Sequence, residues 1–396
     1  MITSQKALQI ILDNTEDFGI EEIPFLDSLG RILKEDIIAD REFPPFNRVS
    51  MDGIAISYDI FSKGAREFAI ENIQPAGSAQ VELIDSKNCI EVMTGAVLPK
   101  NVDVVIPYEQ VIIENGIATV QIDEIKPLQN VHLKGKDRIE NDILQKKDTI
   151  ISSAEIGIFA TVGKSIVKVA KQPKVLIIST GDELVGVSEK PLSYQIRRSN
   201  VYTLVSLLER LNIKAETEHI SDNKQLLKKK IEQHLEHYDV LLFSGAVSKG
   251  KFDFLPEVFD ELGVEKLFHK VKQRPGKPFW FGKRDSKNIF AFPGNPVSTF
   301  VGCLKYFYPW YKKSMGIDCK NQHKAILAED FVFKPELTYF LQVITENKNG
   351  MLYATPVVGN GSGDLANLAE TDAFIELPDH RNEFKEGEVF PLIEFR

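Results

Sequence analysis

The feature that most constrains the fold is an alternation of apolar runs and amphipathic segments over residues 172–315. Short apolar runs, such as 174–180 and 239–243, have the length of buried strands, whereas 223–238 has the apolar spacing of a helix. Strands that are apolar on both faces and alternate with helices are typical of a parallel sheet covered by helices on both sides. The sequence therefore predicts a doubly wound α/β domain over residues 171–317.

Three turns rich in Gly and Pro each follow an apolar run in this region: 244–254 (SGAVSKGKFDF), 274–278 (RPGKP) and 293–298 (PGNPVS). In an open parallel sheet such turns collect along one edge, where ligands bind. Glycine turns and helix N-termini present backbone N–H groups, which suit a phosphate. We therefore predict a phosphorylated ligand here, bound by Ser244, Gly245, Ser248, Gly250, Arg274, Pro275, Gly276, Gly294, Asn295, Pro296 and Ser298.

Local positive charge supports an anionic ligand, although the chain carries a net charge of −9. Lys249, Lys251, Arg274 and Lys277 supply that charge. Arg274 and Lys277 flank Pro275-Gly276, so a rigid turn could present two cations as an oxyanion clamp. A solvated basic loop is the alternative interpretation. In the third turn, Asn295 is expected to cap a helix that begins at Pro296.

Carboxylates follow two of the predicted strands. Asp182 and Glu183 come just after the run 174–180, and Asp253 lies in the turn after 239–243. Carboxylates at this position could hold a magnesium ion or its water. Alternatively, Asp182 could stabilise a turn, and Asp253 could cap the helix that starts near residue 254.

The remaining segments predict smaller domains. Residues 3–14 have a helical apolar stripe, and a second helix at 150–163 could return to pack on it. Between them, short β-type runs with an Asn115-Gly116 turn predict a β insert, and β patterning returns around Asn349-Gly350. The predicted fold is a discontinuous helical N-terminal domain (1–45 and 143–170), a small β insert (46–142), the α/β domain (171–317) and a C-terminal β-barrel (318–396).

Composition argues against several classes of function. With 48 basic and 57 acidic residues, the chain is not expected to bind nucleic acid. Three widely spaced cysteines, Cys89, Cys303 and Cys319, are expected to be free thiols, and the seven histidines have no zinc spacing. Neither a signal peptide nor an apolar stretch long enough for a membrane is visible. We therefore expect a cytoplasmic protein that binds no membrane.

Seven segments, in order along the chain, resemble the motif series of the molybdopterin molybdenumtransferases, a family that includes the C-terminal domain of gephyrin. They are PPFNRVSMDG, MTGAVLP, STGDEL, SGAVSKGKFDF, RPGKP, FPGNPVS and GSGDLANLAE. The resemblance implies four domains per subunit in an elongated homodimer. It also implies a site between the α/β domain of one subunit and the β insert of the other, and possible contact with the adenylyltransferase of the preceding step.

The implied activity is insertion of molybdate into adenylylated molybdopterin, with Mg²⁺-dependent loss of AMP. By motif, the resemblance carries catalytic roles to Asp52, Thr94, Asp137, Glu183, Asp253 and Lys277, and a metal site to Asp182, Glu183 and Asp253. The set is physically reasonable, because carboxylates would hold Mg²⁺ near the pyrophosphate bond and Lys277 would balance phosphate and molybdate charge.

The sequence departs from the family pattern at five positions. Ala246 stands where Gly is usual, Lys249 where an apolar residue is common, Arg274 where Lys is frequent, and His132 where Arg is usual. Arg198 stands where the family often shows Asp, so a carboxylate is lost there. The other changes add or keep positive charge, which suits an anionic ligand.

Two other functions fit parts of the sequence. A molybdopterin adenylyltransferase would share the α/β domain, but it has no need of the two additional β regions. A non-catalytic dimeric scaffold would bind partner peptides, but no long linker or fused domain is visible. An ATP requirement without molybdate would indicate the first, and intact molybdoenzyme activity after substitution of Asp52 or Lys277 would indicate the second.

Overall fold

The structure is a computed structural model, and it describes residues 1–247, 253–317 and 323–396. The chain forms two compact units. The larger unit comprises Met1–Lys34, Asp148–Ser152 and Ile166–Arg396, and the smaller unit comprises Glu35–Lys147 and Ser153–Ser165. The sequence predicted four domains, which divide the chain more finely than these two units and at other boundaries. The four-domain division stays a prediction.

Helices are short throughout the described residues. The α-helices are Ser4–Leu12, Tyr58–Ser62, Ser153–Thr161, Asn200–Glu209, Lys224–His237, Leu255–Glu261, Pro296–Gly302 and Tyr308–Ser314, with a π-helical turn at Cys303–Phe307 and 3₁₀ turns at Phe25–Ser28, Tyr108–Gln110 and Ala366–Glu370. No helix among the described residues combines the length and apolar character needed to cross a membrane.

The strands form three six-stranded sheets and several two-stranded ladders. Two-stranded ladders pair Ile20–Pro24 with Ile166–Ala170, Ile37–Ile38 with Ile143–Gln145, Arg48–Val49 with Val131–His132, Leu184–Val185 with Ile196–Arg197, and Phe331–Val332 with Glu383–Phe384.

The α/β sheet confirms the predicted doubly wound domain. In spatial order its strands are Glu216–Ile220, Val175–Thr180, Val240–Ser244, Lys287–Phe292, Trp280–Arg284 and Glu265–His269. The first four are parallel, and Trp280–Arg284 is antiparallel to both of its neighbours. The sequence analysis missed this strand, because its short run directly follows the RPGKP turn. Glu265–His269 is antiparallel to Trp280–Arg284, so it runs in the same direction as Lys287–Phe292. The turns that follow these two strands therefore lie at the same edge of the sheet.

Helices cover this sheet on both faces. Lys224–His237 buries Leu227, Ile231 and Leu235 in one apolar cluster with Leu176 and Phe243. Asn200–Glu209 buries its own leucines in the cluster on the other face. Each fully buried Leu or Phe side chain contributes roughly 1.5–3 kcal/mol relative to an exposed one.

The first helix joins this second cluster. Ser4–Leu12 begins after Thr3, whose hydroxyl accepts the Lys6 N–H at 3.2 Å, and it buries Ala7 and Ile11. The predicted helix at 150–163, observed at Ser153–Thr161, belongs to the smaller unit, so its packing on Ser4–Leu12 stays a prediction. The segment that returns to the first residues of the chain is the strand Ile166–Ala170, which pairs with Ile20–Pro24.

In the smaller unit, a six-stranded sheet confirms the predicted β insert. Its spatial order is Val104–Pro107, Gly53–Ile56, Cys89–Val92, Glu67–Gln74, Ile117–Val120 and Val111–Glu114. The last two form the hairpin predicted from Asn115-Gly116, with φ values of 52° and 78° at the turn. Gly53 is required by close packing, because a Cβ there would lie 1.9 Å from the Ile106 carbonyl oxygen.

The C-terminal region is the predicted β-barrel. Five strands form it: Lys324–Leu327, Thr338–Lys348, Met351–Pro356, Ala373–Leu377 and Val389–Glu394. Pairing of Thr338–Lys348 with Ala373–Leu377 closes it. A two-residue strand from the α/β region, Gln273–Arg274, extends the sheet by pairing in parallel with Thr338 and Tyr339.

Candidate functional site

A cavity of about 510 Å³ lies at the carboxyl edge of the α/β sheet, where Val175–Thr180, Val240–Ser244 and Lys287–Phe292 end. This is the edge at which the sequence predicted ligand binding. The predicted residues that line the cavity are Glu183, Ser244, Gly245, Asp253, Gly294, Asn295 and Pro296. The structure therefore brings together residues from three separate turns.

Other predicted residues of the α/β region lie elsewhere. The Asp182 side chain is exposed, and its Oδ1 accepts the Asp222 N–H at 3.1 Å. Ser298 is buried inside the helix Pro296–Gly302, and Lys277 is exposed. The predicted ligands Ser248 and Gly250, with the cations Lys249 and Lys251, lie outside the described residues.

Close backbone approach explains the glycines of the cavity. Gly245 has φ +113°, and a Cβ there would lie 3.0 Å from the Thr180 carbonyl oxygen. Its N–H donates to the Phe292 carbonyl at 3.0 Å, which ties two strand ends together. Ala246 also has a positive φ, 54°, a region that disfavours residues with a Cβ. This conformation gives a physical reason for the Gly that is usual at this position in the resembling family.

Asn200 fixes the same strand ends, and the sequence analysis did not identify it. Its Nδ2 donates to Ser244 Oγ at 2.8 Å and to the Gly294 carbonyl at 2.7 Å, with Thr299 Oγ1 at 3.5 Å. Thr299 Oγ1 in turn donates to the Pro293 carbonyl at 2.7 Å. One amide at the start of the helix Asn200–Glu209 therefore joins two turns of the cavity.

Three carboxylates line the cavity: Glu183, Asp222 and Asp253. Burial raises the pKa of Asp222, and the charges of Asp182, Glu183 and Asp253 raise it further. Asp222 Oδ1 is buried without a hydrogen-bond partner in the described part of the chain. The sequence analysis missed Asp222, although it follows the predicted strand Glu216–Ile220 and so reaches the same edge as Thr180.

This donor set suits the magnesium ion that the resemblance implies. Among residues 1–247, 253–317 and 323–396, no three His, Cys, Asp or Glu side chains form a group that could hold a metal ion by themselves. Mg²⁺ usually takes one or two carboxylates and completes its shell with water and substrate phosphates. A buried, unpartnered Asp222 oxygen beside like charges is the kind of ligand such an ion would neutralise.

Asp253 precedes the helix Leu255–Glu261 rather than capping it directly. The N-cap position is occupied by Phe254. The alternative that Asp253 serves as the N-cap is therefore wrong, and its half-buried side chain lines the cavity instead.

Asn295 does not use its side chain as predicted either. It occupies the N-cap position of Pro296–Gly302, but its amide makes no cap hydrogen bond. Instead its Nδ2 donates to Ser362 Oγ at 2.7 Å, because a segment from the C-terminal region lies against this helix start. The Val297 N–H donates to the Ser362 carbonyl at 3.1 Å, and Gly363 completes the cavity wall.

The RPGKP turn borders a second cavity of about 90 Å³, lined by Arg274 and Pro275 among others. Gln273 supports this turn from inside, since its Nε2 donates to the carbonyls of Pro275 and Gly276 at 3.2 and 3.3 Å. The Tyr306 hydroxyl donates to Gln273 Oε1, and the Ser4 hydroxyl lies 3.1 Å from that of Tyr306. Gln273, Tyr306 and Ser4 are all buried, so the turn rests on a continuous polar chain.

In the smaller unit, the predicted residues Asp52 and Thr94 meet directly. Asp52 Oδ1 accepts the Thr94 N–H at 2.6 Å and the Thr94 hydroxyl at 2.8 Å. These two hydrogen bonds lower the pKa of Asp52, the backbone donor having the larger effect. Two loops of the β insert therefore present one oriented carboxylate.

Asp137, also in the smaller unit, pairs with a residue that departs from the family pattern. Its Oδ1 lies 2.8 Å from Nε2 of His132. An arginine would hold the carboxylate by permanent charge, whereas His132 does so with full charge only when protonated. The departure at His132 therefore retains a partner for Asp137.

The two cysteines in the described residues are structural. Cys89 and Cys303 are free and buried, as expected, and Cys319 lies outside the described residues. Burial raises the pKa of Cys303 and raises that of Cys89 to about 12. Thiols held in the protonated form do not serve as nucleophiles at neutral pH.

Family models match the chain in three consecutive segments. Residues 2–163 match the MoeA N-terminal region (domain I and II), 176–313 a probable molybdopterin binding domain, and 324–395 the MoeA C-terminal region (domain IV).

Full-length relatives match as well. The chain is 39% identical to a molybdopterin molybdenumtransferase from Synechocystis sp., covering 99% of both chains. It is 33% identical to one from Staphylococcus epidermidis, covering 99% of this chain and 95% of the relative. A crystal structure of the molybdopterin biosynthesis moea protein from Pyrococcus horikosii superposes with a TM-score of 0.83 at 28% identity, covering 100% and 99% of the two chains.

Proposed function

The chain belongs to the molybdopterin molybdenumtransferase family, and from that premise we propose that it inserts molybdate into adenylylated molybdopterin with Mg²⁺-dependent release of AMP. It is a transferase of molybdenum cofactor synthesis. The observation that carries the finer proposal is the 510 Å³ cavity, in which glycine turns face three carboxylates. That combination suits a phosphate-bearing substrate accompanied by a divalent cation.

The turns of the cavity would bind the phosphates of the substrate. Gly245 and Gly294 allow the ligand to approach the backbone, since neither presents a Cβ. Asn200 holds the Ser244 and Gly294 ends of these turns at fixed positions. The resulting wall is already assembled, so little ordering of side chains would be needed on binding.

Magnesium would be held by one or two of the carboxylates that line the cavity, Glu183, Asp222 and Asp253, with water and substrate phosphates completing its shell. Asp182 would position Asp222, because its Oδ1 accepts the Asp222 N–H. When bound, the ion supplies charge neutralisation at the diphosphate. The chain's own carboxylates would fix the position of this positive charge in the cavity. Arg274 and Lys277 stay our proposed oxyanion clamp, supported by the rigid turn that Gln273 holds.

Asp52, Thr94 and Asp137 are proposed to act in the same reaction. The support is that Thr94 orients Asp52 through two hydrogen bonds. An ionised, oriented carboxylate can accept a proton or hold a water molecule. We also propose that the chain acts as a homodimer, which size-exclusion chromatography with light scattering would test.

The decisive experiment incubates the purified chain with adenylylated molybdopterin, molybdate and Mg²⁺ and measures AMP by chromatography. We expect AMP release that needs both molybdate and Mg²⁺. Consumption of ATP with free molybdopterin, without a molybdate requirement, would identify an adenylyltransferase instead. Normal cofactor synthesis by an Asp52→Asn variant in a cell that lacks the native enzyme would favour a scaffold.

A further inference from the structure

Arg198 occupies a fixed position on the wall of the larger cavity. It follows the two-residue strand Ile196–Arg197, which pairs with Leu184–Val185, and its own N–H donates to the Val185 carbonyl at 3.0 Å. The backbone at this position is therefore anchored on the segment that follows Glu183. The side chain starts from the rim where the strand Val175–Thr180 ends.

One nitrogen of the Arg198 guanidinium, Nε, lacks the hydrogen-bond partner that a buried donor normally has. Its Nε is buried and makes no hydrogen bond with any residue in the part of the chain that the structure describes. The neighbouring Arg197 differs, since its Nε donates to the Glu189 carbonyl at 3.1 Å. Buried guanidinium nitrogens are normally satisfied, so the unpaired Nε distinguishes Arg198, whose side chain lines the cavity, from Arg197.

The charged residues that line the cavity with Arg198 indicate what kind of ligand it could bind. Glu183 and Asp222 line the same cavity, yet neither of them forms an ion pair with Arg198 among the described residues. The nearby His219 is held by a hydrogen bond between its Nδ1 and Ser179 Oγ at 3.0 Å. The cavity therefore contains a cation as well as carboxylates, which suits a phosphate accompanied by a metal ion.

We propose that Arg198 binds a phosphate oxygen of the adenylylated substrate. Arginine is suited to this role because its planar fork can donate two hydrogen bonds to one phosphate. The carboxylates that line the cavity would hold Mg²⁺, and the ion would neutralise further charge on the phosphate. This inference rests on the proposed function, since it takes the ligand from it.

The substrate has a phosphate ester on its AMP half and another on its pterin half. The test determines which of the two phosphates Arg198 binds. Isothermal titration calorimetry with Mg²⁺ present measures AMP, adenosine and molybdopterin binding to the full chain and to Arg198→Ala and Arg198→Asp. We expect Arg198→Ala to weaken binding of one phosphate ester by about tenfold, as for a lost charge-assisted hydrogen bond, and Arg198→Asp to weaken it further. Adenosine, which has no phosphate, should bind all three proteins equally.

Arg284→Ala is the matched control. It removes the same charge from the opposite edge of the same sheet, where Arg284 pairs in register with Lys287. We expect this variant to bind AMP and molybdopterin as the unaltered chain does, which would show that net charge alone is not responsible. Circular dichroism and thermal melts verify that every variant is folded.

The possible outcomes distinguish a failure of the Arg198 subsite from a failure of the proposed function. Binding of both phosphate esters unchanged by Arg198→Ala would overturn the subsite while leaving the proposed function intact. Failure of the unaltered chain to bind either compound would overturn the proposed function and the subsite together. An equal loss of adenosine and AMP binding in Arg198→Ala would assign Arg198 to the shape of the cavity and would also overturn the phosphate subsite.

Discussion

Asp52 Oδ1 accepts two hydrogen bonds from Thr94, one from its N–H and one from its hydroxyl, although the residues are 42 positions apart in the chain. The pair joins the loop before the strand Gly53–Ile56 to the loop after Cys89–Val92. These strands are hydrogen-bonded neighbours, so the sheet itself sets the distance between the two side chains.

Thr94→Ala should raise the pKa of Asp52, because one of its two donors is lost while the backbone N–H remains. Side-chain NMR titration would measure this change, and Thr94→Ser should restore the lower value. We also expect molybdate-dependent AMP release to fall by about tenfold, the value of one hydrogen bond in the transition state. An unchanged pKa of Asp52 in Thr94→Ala would contradict the role of the hydroxyl.

The same pair predicts a pH dependence of stability. Since the folded-state pKa of Asp52 is lowered, its stabilising contribution is present above the unfolded-state pKa and is lost as the pH falls through the folded-state value. The difference in stability between the unaltered chain and Thr94→Ala should therefore be present at neutral pH and vanish in acid. Thermal melts across this range would measure it.

Asp222 should behave in the opposite way. Burial and neighbouring carboxylates raise its pKa, so the ionised form costs stability once the pH rises above the unfolded-state value. In the absence of metal, Asp222→Asn should be more stable than the unaltered chain at neutral pH, and this gain should disappear as the pH falls towards 4. The same variant should lose Mg²⁺-dependent AMP release.

Added Mg²⁺ provides the control for this prediction. It should stabilise the unaltered chain in thermal melts and stabilise Asp222→Asn much less, since the variant lacks a ligand. Equal stabilisation of both proteins would remove Asp222 from the magnesium site, whatever its effect on pH dependence.

Asn200→Ala should destabilise the fold by about 1–3 kcal/mol, because Ser244 Oγ and the Gly294 carbonyl lose a donor in a partly buried position. Urea denaturation would measure the free energy of unfolding. Asn14→Ala is a useful comparison, since its Nδ2 makes one hydrogen bond, to the Ile10 carbonyl at 2.8 Å. A cost for Asn200→Ala no larger than that for Asn14→Ala would contradict its linking role.

Tyr306→Phe should weaken the support of the RPGKP turn, since Gln273 Oε1 loses its buried donor. We expect a loss of about 1–3 kcal/mol in stability and a raised KM for molybdate in the AMP-release assay. Tyr311→Phe is the matched control, because its hydroxyl donates to the Leu211 carbonyl at 3.1 Å, away from this turn. If both variants lose stability but neither changes KM, the turn does not bind molybdate.

Much of this fold was predictable from local patterns. Apolar runs, helical spacing and the Asn-Gly turns at 115–116 and 349–350 each depend on a few consecutive residues, and the corresponding elements are present. The strand Trp280–Arg284 was missed because it is separated from the RPGKP turn by only a few residues. Its antiparallel direction depends on the neighbouring strands, which no local pattern specifies.

The cavity was predictable in position but not in detail. Strand ends located Glu183, Ser244 and Gly294, because residues after parallel strands share one edge. The roles of Asn200 and Asp222 depend on side-chain contacts between separate strand ends, which appear only in three dimensions. The contact of Asn295 could not be predicted from local sequence either, because its partner Ser362 comes from the C-terminal region.

The short strand Gln273–Arg274 has a consequence for how the chain is made. It supplies the parallel partner of Thr338 and Tyr339, so the sheet of the C-terminal barrel includes residues that leave the ribosome well before the barrel does. The barrel therefore depends on a segment outside its own sequence to complete its sheet. A separately produced C-terminal fragment would leave that edge unpaired, and it should associate with the rest of the chain when the two pieces are mixed.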